Sequence, residues 1–172
     1  MRVETEDNTM ILQNKYQADL PSPMGSEDAA GKMTIPSRFG ELRFGPNNLV
    51  RLPKGLLGFT AYHNFGLANF PKREFSHFKI LQCLEDPALS FLVSPLDLDA
   101  GLIARKDMEE IYEQLAIQKE DGAVLLILTA RQEDGKSVIS ANLRAPIFVD
   151  TRRHVGRQCV LANPDYAIRH VL

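Results

Sequence analysis

The residues of this 172-residue chain with side chains suited to chemistry are four histidines, two cysteines and several adjacent pairs of acids. His63, His77, His154 and His170 stand far apart, and none lies in the His-Glu-x-x-His spacing that sets two imidazoles on one helix face for zinc. A metal held by distant residues, such as Cys83 with His77, is the form of site such scattering leaves open. Cys83 and Cys159 each sit in an apolar run, which raises a thiol's pKa rather than activating it, and no Gly-x-Ser-x-Gly elbow supplies another nucleophile. Paired carboxylates occur at Glu85-Asp86, Glu109-Glu110 and Glu133-Asp134, among others. Neighbouring acids point to opposite faces of a strand and diverge by about 100° on a helix, so these pairs read as loop and helix-surface charge. The glycines form no phosphate-cradling loop ahead of a helix. The chemistry expected is therefore binding rather than catalysis, with no cofactor and no metal.

Two stretches carry binding potential. Arg152-Arg-His-Val-Gly-Arg157 is a basic turn at the tip of a predicted hairpin. Its plainer reading is a solvated turn that keeps a sheet edge from aggregating, and its sharper one is an anion site using Arg152, Arg153 and Arg157. Base stacking in nucleic-acid binding needs interleaved aromatic residues, and the nearest here, Phe148, falls on an inward-facing position. Leu52-Pro-Lys-Gly-Leu-Leu-Gly-Phe59 sets large apolar side chains among glycines and a proline. Leu56 and Phe59 then either plug one end of a barrel or, with Leu57, form an exposed apolar anchor for a partner's helix. Glu85 and Asp86 are expected to rim that patch with acid.

The elements that must position these residues are mostly strands. Alternating or short apolar runs predict strands at 41–44, 49–52, 64–70, 78–84, 90–93, 123–129, 138–141, 147–150 and 158–161. Residues 123–129 are apolar on both faces, which predicts a central, fully covered strand. Glu133-Asp-Gly135 and Val155-Gly156 are the expected hairpin breaks, because glycine accepts the positive φ of such turns. One helix is predicted over about 107–118, capped by Asp107 with Glu110 in the reciprocal position. Many strands with one helix and no strand–helix alternation predict a mainly β fold, a small antiparallel β-barrel-like domain.

Residues 1–32 differ in kind: they hold three basic and six acidic side chains and a Pro-Ser-Pro-Met-Gly-Ser cluster. They read as a disordered N-terminal arm, natural or derived from a tag, ahead of a domain over 33–172. Residues 131–172 are the opposite, with seven basic and four acidic side chains. The net charge of -2 gives no overall pull toward nucleic acid or anionic lipid. No run is long enough for a membrane span, no secretory signal is visible, and two sparse cysteines suit a reducing compartment. A cytoplasmic location is expected.

Three segments carry a resemblance. The first is Arg38-Phe-Gly-Glu-Leu42 followed by Leu52-Pro-Lys-Gly-Leu-Leu-Gly-Phe59. The second is Leu81-Gln-Cys-Leu-Glu-Asp-Pro-Ala-Leu-Ser-Phe91. The third runs from Ser140-Ala-Asn-Leu-Arg-Ala-Pro-Ile147 through Gln158-Cys-Val-Leu161 to Tyr166-Ala-Ile-Arg-His170. Together they resemble the FliW family of flagellar assembly factors. Leu57 stands where many members have proline, as does Val171 near the end. The resemblance implies a small, non-enzymatic β protein of the bacterial cytoplasm with two protein partners. One is the C-terminal region of flagellin, and the other is CsrA, the dimeric RNA-binding repressor of flagellin translation. Free protein would bind CsrA and relieve repression, and accumulated flagellin would displace CsrA again. A flagellin chaperone alone, or a small ligand- or RNA-binding barrel, is the alternative. The partner surface expected is Leu56, Leu57 and Phe59 with Glu85 and Asp86, then Arg152, Arg153 and Arg157. The acidic arm is a candidate internal cover for it.

Overall fold

The computed structural model describes residues 32–172 and, before them, the backbone of Ser26–Glu27. The remainder of the arm expected over 1–32 lies outside the described residues. The strands are β1 (Ser26–Glu27), β2 (Met33–Ser37), β3 (Gly40–Phe44), β4 (Leu49–Arg51), β5 (Asn64–Asn69) and β6 (Lys79–Cys83). They continue with β7 (Ser90–Pro95), β8 (Gly122–Glu133), β9 (Lys136–Ala141), β10 (Ile147–Asp150), β11 (Val155–Gln158) and β12 (His170–Val171). One α-helix, α1 (Arg105–Leu115), lies between β7 and β8.

Seven strands close on themselves in the order β4, β5, β6, β7, β8, β10, β11 and back to β4. All of these pairings are antiparallel except the last, where β11 runs parallel to β4 with Val155 beside Arg51. The Arg51 amide donates to the His154 carbonyl at 2.8 Å across that seam. Strand alternation sends Val50, Phe65, Leu81, Val93, Leu125 and Ile147 into one buried cluster. Because these six residues come from six strands of the ring, that cluster is the barrel interior. Gly156 is the contribution of β11, and a Cβ there would stand 2.9 Å from both the Leu52 Cδ2 and the Phe148 carbonyl oxygen.

The outer wall is covered on two sides. Helix α1 lays Met108 and Tyr112 against Val124, Leu126, Leu128 and Phe148, and Tyr112 meets Phe148 edge-on at 5.4 Å. Strand β8 is thereby covered on both faces as expected, with Leu125 and Ile127 facing the interior cluster. The β2–β3 hairpin covers β5 and β6 through Ile35, Leu42 and Phe44 packed on Ile80. Phe44 lies so close over Gly66 that a Cβ at that position would meet its ring at 2.5 Å. Beyond the ring, the far half of β8 pairs with β9, and β9 with β12, as a three-stranded flap. The β8–β9 turn is the expected two-residue one, Asp134 and Gly135 having φ of 49° and 77°.

Three expectations need correction. The turn between β10 and β11 is Thr151 to His154, not Val155-Gly156: His154 takes the positive φ, 55°, and Gly156 lies in the strand where the barrel leaves no room for a side chain. Strand β11 accordingly starts at Val155, three residues before the expected start at 158. Its ladder does continue, with Cys159 N donating to Pro146 O at 3.0 Å and Leu161 N to Arg144 O at 2.9 Å. The helix begins at Arg105, with Ala104 as N-cap and Asp107 in the first turn instead of at the cap. The Tyr166 hydroxyl, 62 residues away from Ala104, accepts from the Ala104 amide at 3.0 Å and donates to the Asp107 carboxylate. A side chain from the C-terminal tail thus relays what a local capping box would do directly.

Gly156→Ala is expected to lower stability by about 1–3 kcal/mol, the range for overpacking a core, read as a lower urea midpoint. An unchanged midpoint would mean that the seam has room for a methyl group.

Candidate functional site

The loop between β4 and β5 forms one mouth of the barrel. Gly55 has φ of 63°, and a Cβ there would stand 2.5 Å from the Phe59 carbonyl oxygen. That close approach lets the loop fold back tightly, with Phe59 N donating to Leu56 O at 2.8 Å. The fold-back splits the apolar residues into two kinds. Leu56 is 1% exposed and fills the barrel end, so it is a plug and not a surface anchor. Phe59 is half-buried and packs edge-on against Phe91 at 5.2 Å. Leu57, at the tip, is 56% exposed. Its amide donates to Gln158 Oε1 at 2.8 Å, and Gln158 Nε2 donates to the Ala145 carbonyl at 3.0 Å. The exposed leucine is therefore carried on backbone pinned to β11, which lowers the entropic cost of holding it against a partner.

Glu85 and Asp86 lie at the same mouth, but their carboxylates are occupied. Glu85 accepts from His63 N, Asn64 N and Asn64 Nδ2, the last at 2.7 Å. Asp86 accepts from the Tyr62 hydroxyl at 3.3 Å and from Ala88 N at 2.9 Å. Partial burial pushes the Glu85 carboxyl up, and the hydrogen bonds from Asn64 and His63 outweigh it, holding the pKa below the ordinary 4.5. The acids tie the β4–β5 loop to the β6–β7 turn while keeping negative charge at the rim. Burial and the Asp86 charge act together on Tyr62, with Asp86 foremost, and raise its phenol pKa.

The basic turn is set by a buried acid. Asp150, 5% exposed, accepts from Arg152 N at 3.1 Å and Arg153 N at 2.8 Å, and its second oxygen lies 3.4 Å from Arg153 Nε. This leaves Arg152, Arg153 and Arg157 with exposed side chains. Sequence reading passed over Asp150 and Gln158, although an aspartate followed by Thr-Arg-Arg is a signal for a turn closed by its own side chain. A groove of about 470 Å³ runs along the outer wall between the two sets of charges. Met33, Leu49 and Leu84 form its apolar lining, Glu85 stands on one side, and Arg51 and His154 stand on the other. The structure thus brings the loop and the acidic pair to one mouth. It sets the basic turn across an adjoining groove.

The other chemistry-bearing residues are dispersed. Cys83 faces the barrel interior, where burial pushes its thiol up to about 11, and burial also raises Cys159 against the opposing charge of Arg157. Among the described residues no group of three His, Cys, Asp or Glu is placed to hold a metal ion. No helix among them is long and apolar enough to cross a membrane.

A crystal structure of the flagellar assembly factor FliW superposes with a TM-score of 0.60 at 28% identity, covering 80% of this chain and 95% of that one. The FliW of Geobacillus kaustophilus is 33% identical over 143 residues, 81% of this chain and 95% of the relative. That of Thermoanaerobacter pseudethanolicus is 31% identical over 135 residues, 77% and 87% of the two chains. The family model for FliW protein matches residues 34–172, and the chain belongs to the FliW family.

Because the folded-state pKa of Glu85 is depressed, its contribution to stability is present at neutral pH and is lost as pH falls through that lowered value. Glu85→Gln is expected to destabilise the protein at pH 7. The gap between variant and parent should narrow below about pH 4, under the ordinary glutamate pKa. Urea unfolding at pH 7 and pH 3.5 checks this, and a gap independent of pH would remove the charge from the account.

Proposed function

We propose that this protein is a cytoplasmic regulator of flagellin synthesis that binds CsrA and flagellin in turn. Bound to CsrA, it would lower that repressor's hold on flagellin mRNA. Bound to flagellin, it would release CsrA and let repression resume. Family membership over residues 34–172 supports the reading, and the observation that carries it to a site is Leu57. A large apolar side chain exposed on a pinned loop, with acid beside it and arginines on the neighbouring turn, has the make-up of an interface anchor. The contact surface proposed is Leu57 and the outer face of Phe59 with Glu85 and Asp86, then Arg152, Arg153 and Arg157.

The energetics asked of the switch are modest. Two partners that exclude one another on overlapping surface couple negatively without any change of fold. Each tenfold change in CsrA occupancy needs about 1.4 kcal/mol, which a few well-packed contacts supply. The flagellin C-terminal segment suits this mouth if it folds on binding as an amphipathic helix, laying its apolar face on Leu57 and its polar edge on the charged rim.

Calorimetric titration with CsrA, repeated after saturation with the flagellin C-terminal segment, is expected to give sub-micromolar binding that flagellin abolishes. Binding of flagellin alone would leave a chaperone without the regulatory half. Silence toward both, with affinity for RNA or a small ligand, would replace the proposal with the barrel alternative. Leu57→Asp, at an exposed position, is expected to weaken binding tenfold or more with the urea midpoint retained. Unchanged affinity would move the site away from the mouth.

A further inference from the structure

The groove beside the mouth has a candidate occupant in the chain's own sequence. Glu4-Thr-Glu-Asp-Asn-Thr-Met-Ile-Leu12 places three acids, Glu4, Glu6 and Asp7, just ahead of three apolar residues, Met10, Ile11 and Leu12. The groove offers the complement. Its apolar lining is Met33, Leu49 and Leu84, and at its basic side stand Arg51 and His154, next to the exposed Arg152 and Arg153. The acid on its other side, Glu85, already accepts three hydrogen bonds from His63 and Asn64. We propose that residues 4–12 dock in this groove, the acids toward the basic turn and Met10-Ile-Leu12 on the apolar lining.

The tether favours it. Strand β1 sets Ser26 beside Thr34, so the chain before it joins the fold next to the groove-lining Met33. Residues 13–25 connect the segment to β1, and a tether that short gives an effective concentration in the roughly millimolar range. Even a weak contact is populated under those conditions. The charge balance points the same way, because residues 1–25 hold the acids Glu4, Glu6, Asp7 and Asp19 against the bases Arg2 and Lys15. The segment also lies outside the family match, which starts at residue 34. It is an addition to the shared domain and not a part of its core. If the partner reading above holds, an occupied groove between Glu85 and His154 crowds the mouth and makes the segment an internal competitor.

The test reads docking directly, without any partner. A nitroxide is placed at Asn8→Cys in a Cys159→Ser background of the full chain, Cys83 being 0% exposed. Amide signals of Arg51, Asn64 and His154 are expected to broaden relative to those of Ser137 in the flap. The broadening should fall in the double variant Arg152→Glu/Arg153→Glu and in 1 M salt, where the Debye length is about 3 Å. Replacing Glu4, Glu6 and Asp7 with lysine, outside the described fold, should act likewise. No broadening at the groove in low salt, or broadening that these charge changes leave intact, overturns the proposal. Removing residues 1–25 should then raise partner affinity. If docking is seen and no partner binds, the inference stands while the partner reading fails.

Discussion

Parallel strands cannot be joined by a tight turn, so the contact between β4 and β11 has to be prepared by the chain between them. It amounts to one bridged residue pair, Val155 beside Arg51, with the Arg51 amide donating to the His154 carbonyl. The ring, its interior cluster and the placement of the mouth all follow from that closure. Asp150 sets the turn that aims His154 at Arg51, and Gly156 lets β11 come close enough to pack on Leu52. Gln158 then ties the mouth loop to the same strand. So short a seam holds because it is backed by side-chain packing on the inside and by the long antiparallel ladder of β10 with β8 and β11 on either side.

The functional surface is a by-product of the same arrangement. The mouth loop cannot hang free, because Leu56 is drawn inward to fill the barrel end while Gln158 and Glu85 grip the loop at two points. Drawing Leu56 in pushes Leu57 out. The exposed apolar residue is therefore not a packing failure but the geometric partner of the plug. The acids beside it serve the fold and colour the surface at once: their hydrogen bonds fix the loop, and their charge still sets the potential at the rim.

Much of this was legible in the sequence, for identifiable reasons. Strands buried on one or both faces announce themselves by hydrophobic pattern, and β8 did so most clearly, since both of its faces are covered. The Asp134-Gly135 turn was legible because a two-residue hairpin depends only on its own residues. What escaped reading depends on distant partners. Asp107 looks like a helix cap until Tyr166 arrives from the tail to cap Ala104 and bind that carboxylate. Gly156 looks like a turn until the seam shows that closeness, not positive φ, is its reason for being glycine. Strand β2 was hidden by Pro36, a residue that argues against a strand in sequence, yet here it pairs with Glu41 of β3. At the mouth, composition pointed to the right loop and acids, but Leu56 and Leu57 are the same residue type. Only the fold-back around Gly55 separates plug from anchor.

Tyr166 and β11 both follow the elements they close, and that has a consequence for how the protein is made. A ribosome releases sequence in order, so β4 waits with an unpaired edge until β11 emerges, just over a hundred residues later. The helix start, in turn, waits 62 residues for its tyrosine. These closing contacts come from elements that follow the strands and helix they close, and a chain stalled or clipped before them holds a strand edge open to any neighbour. Emergence of β11, and not the appearance of the first folded strands, is the event that turns this polypeptide into a closed barrel.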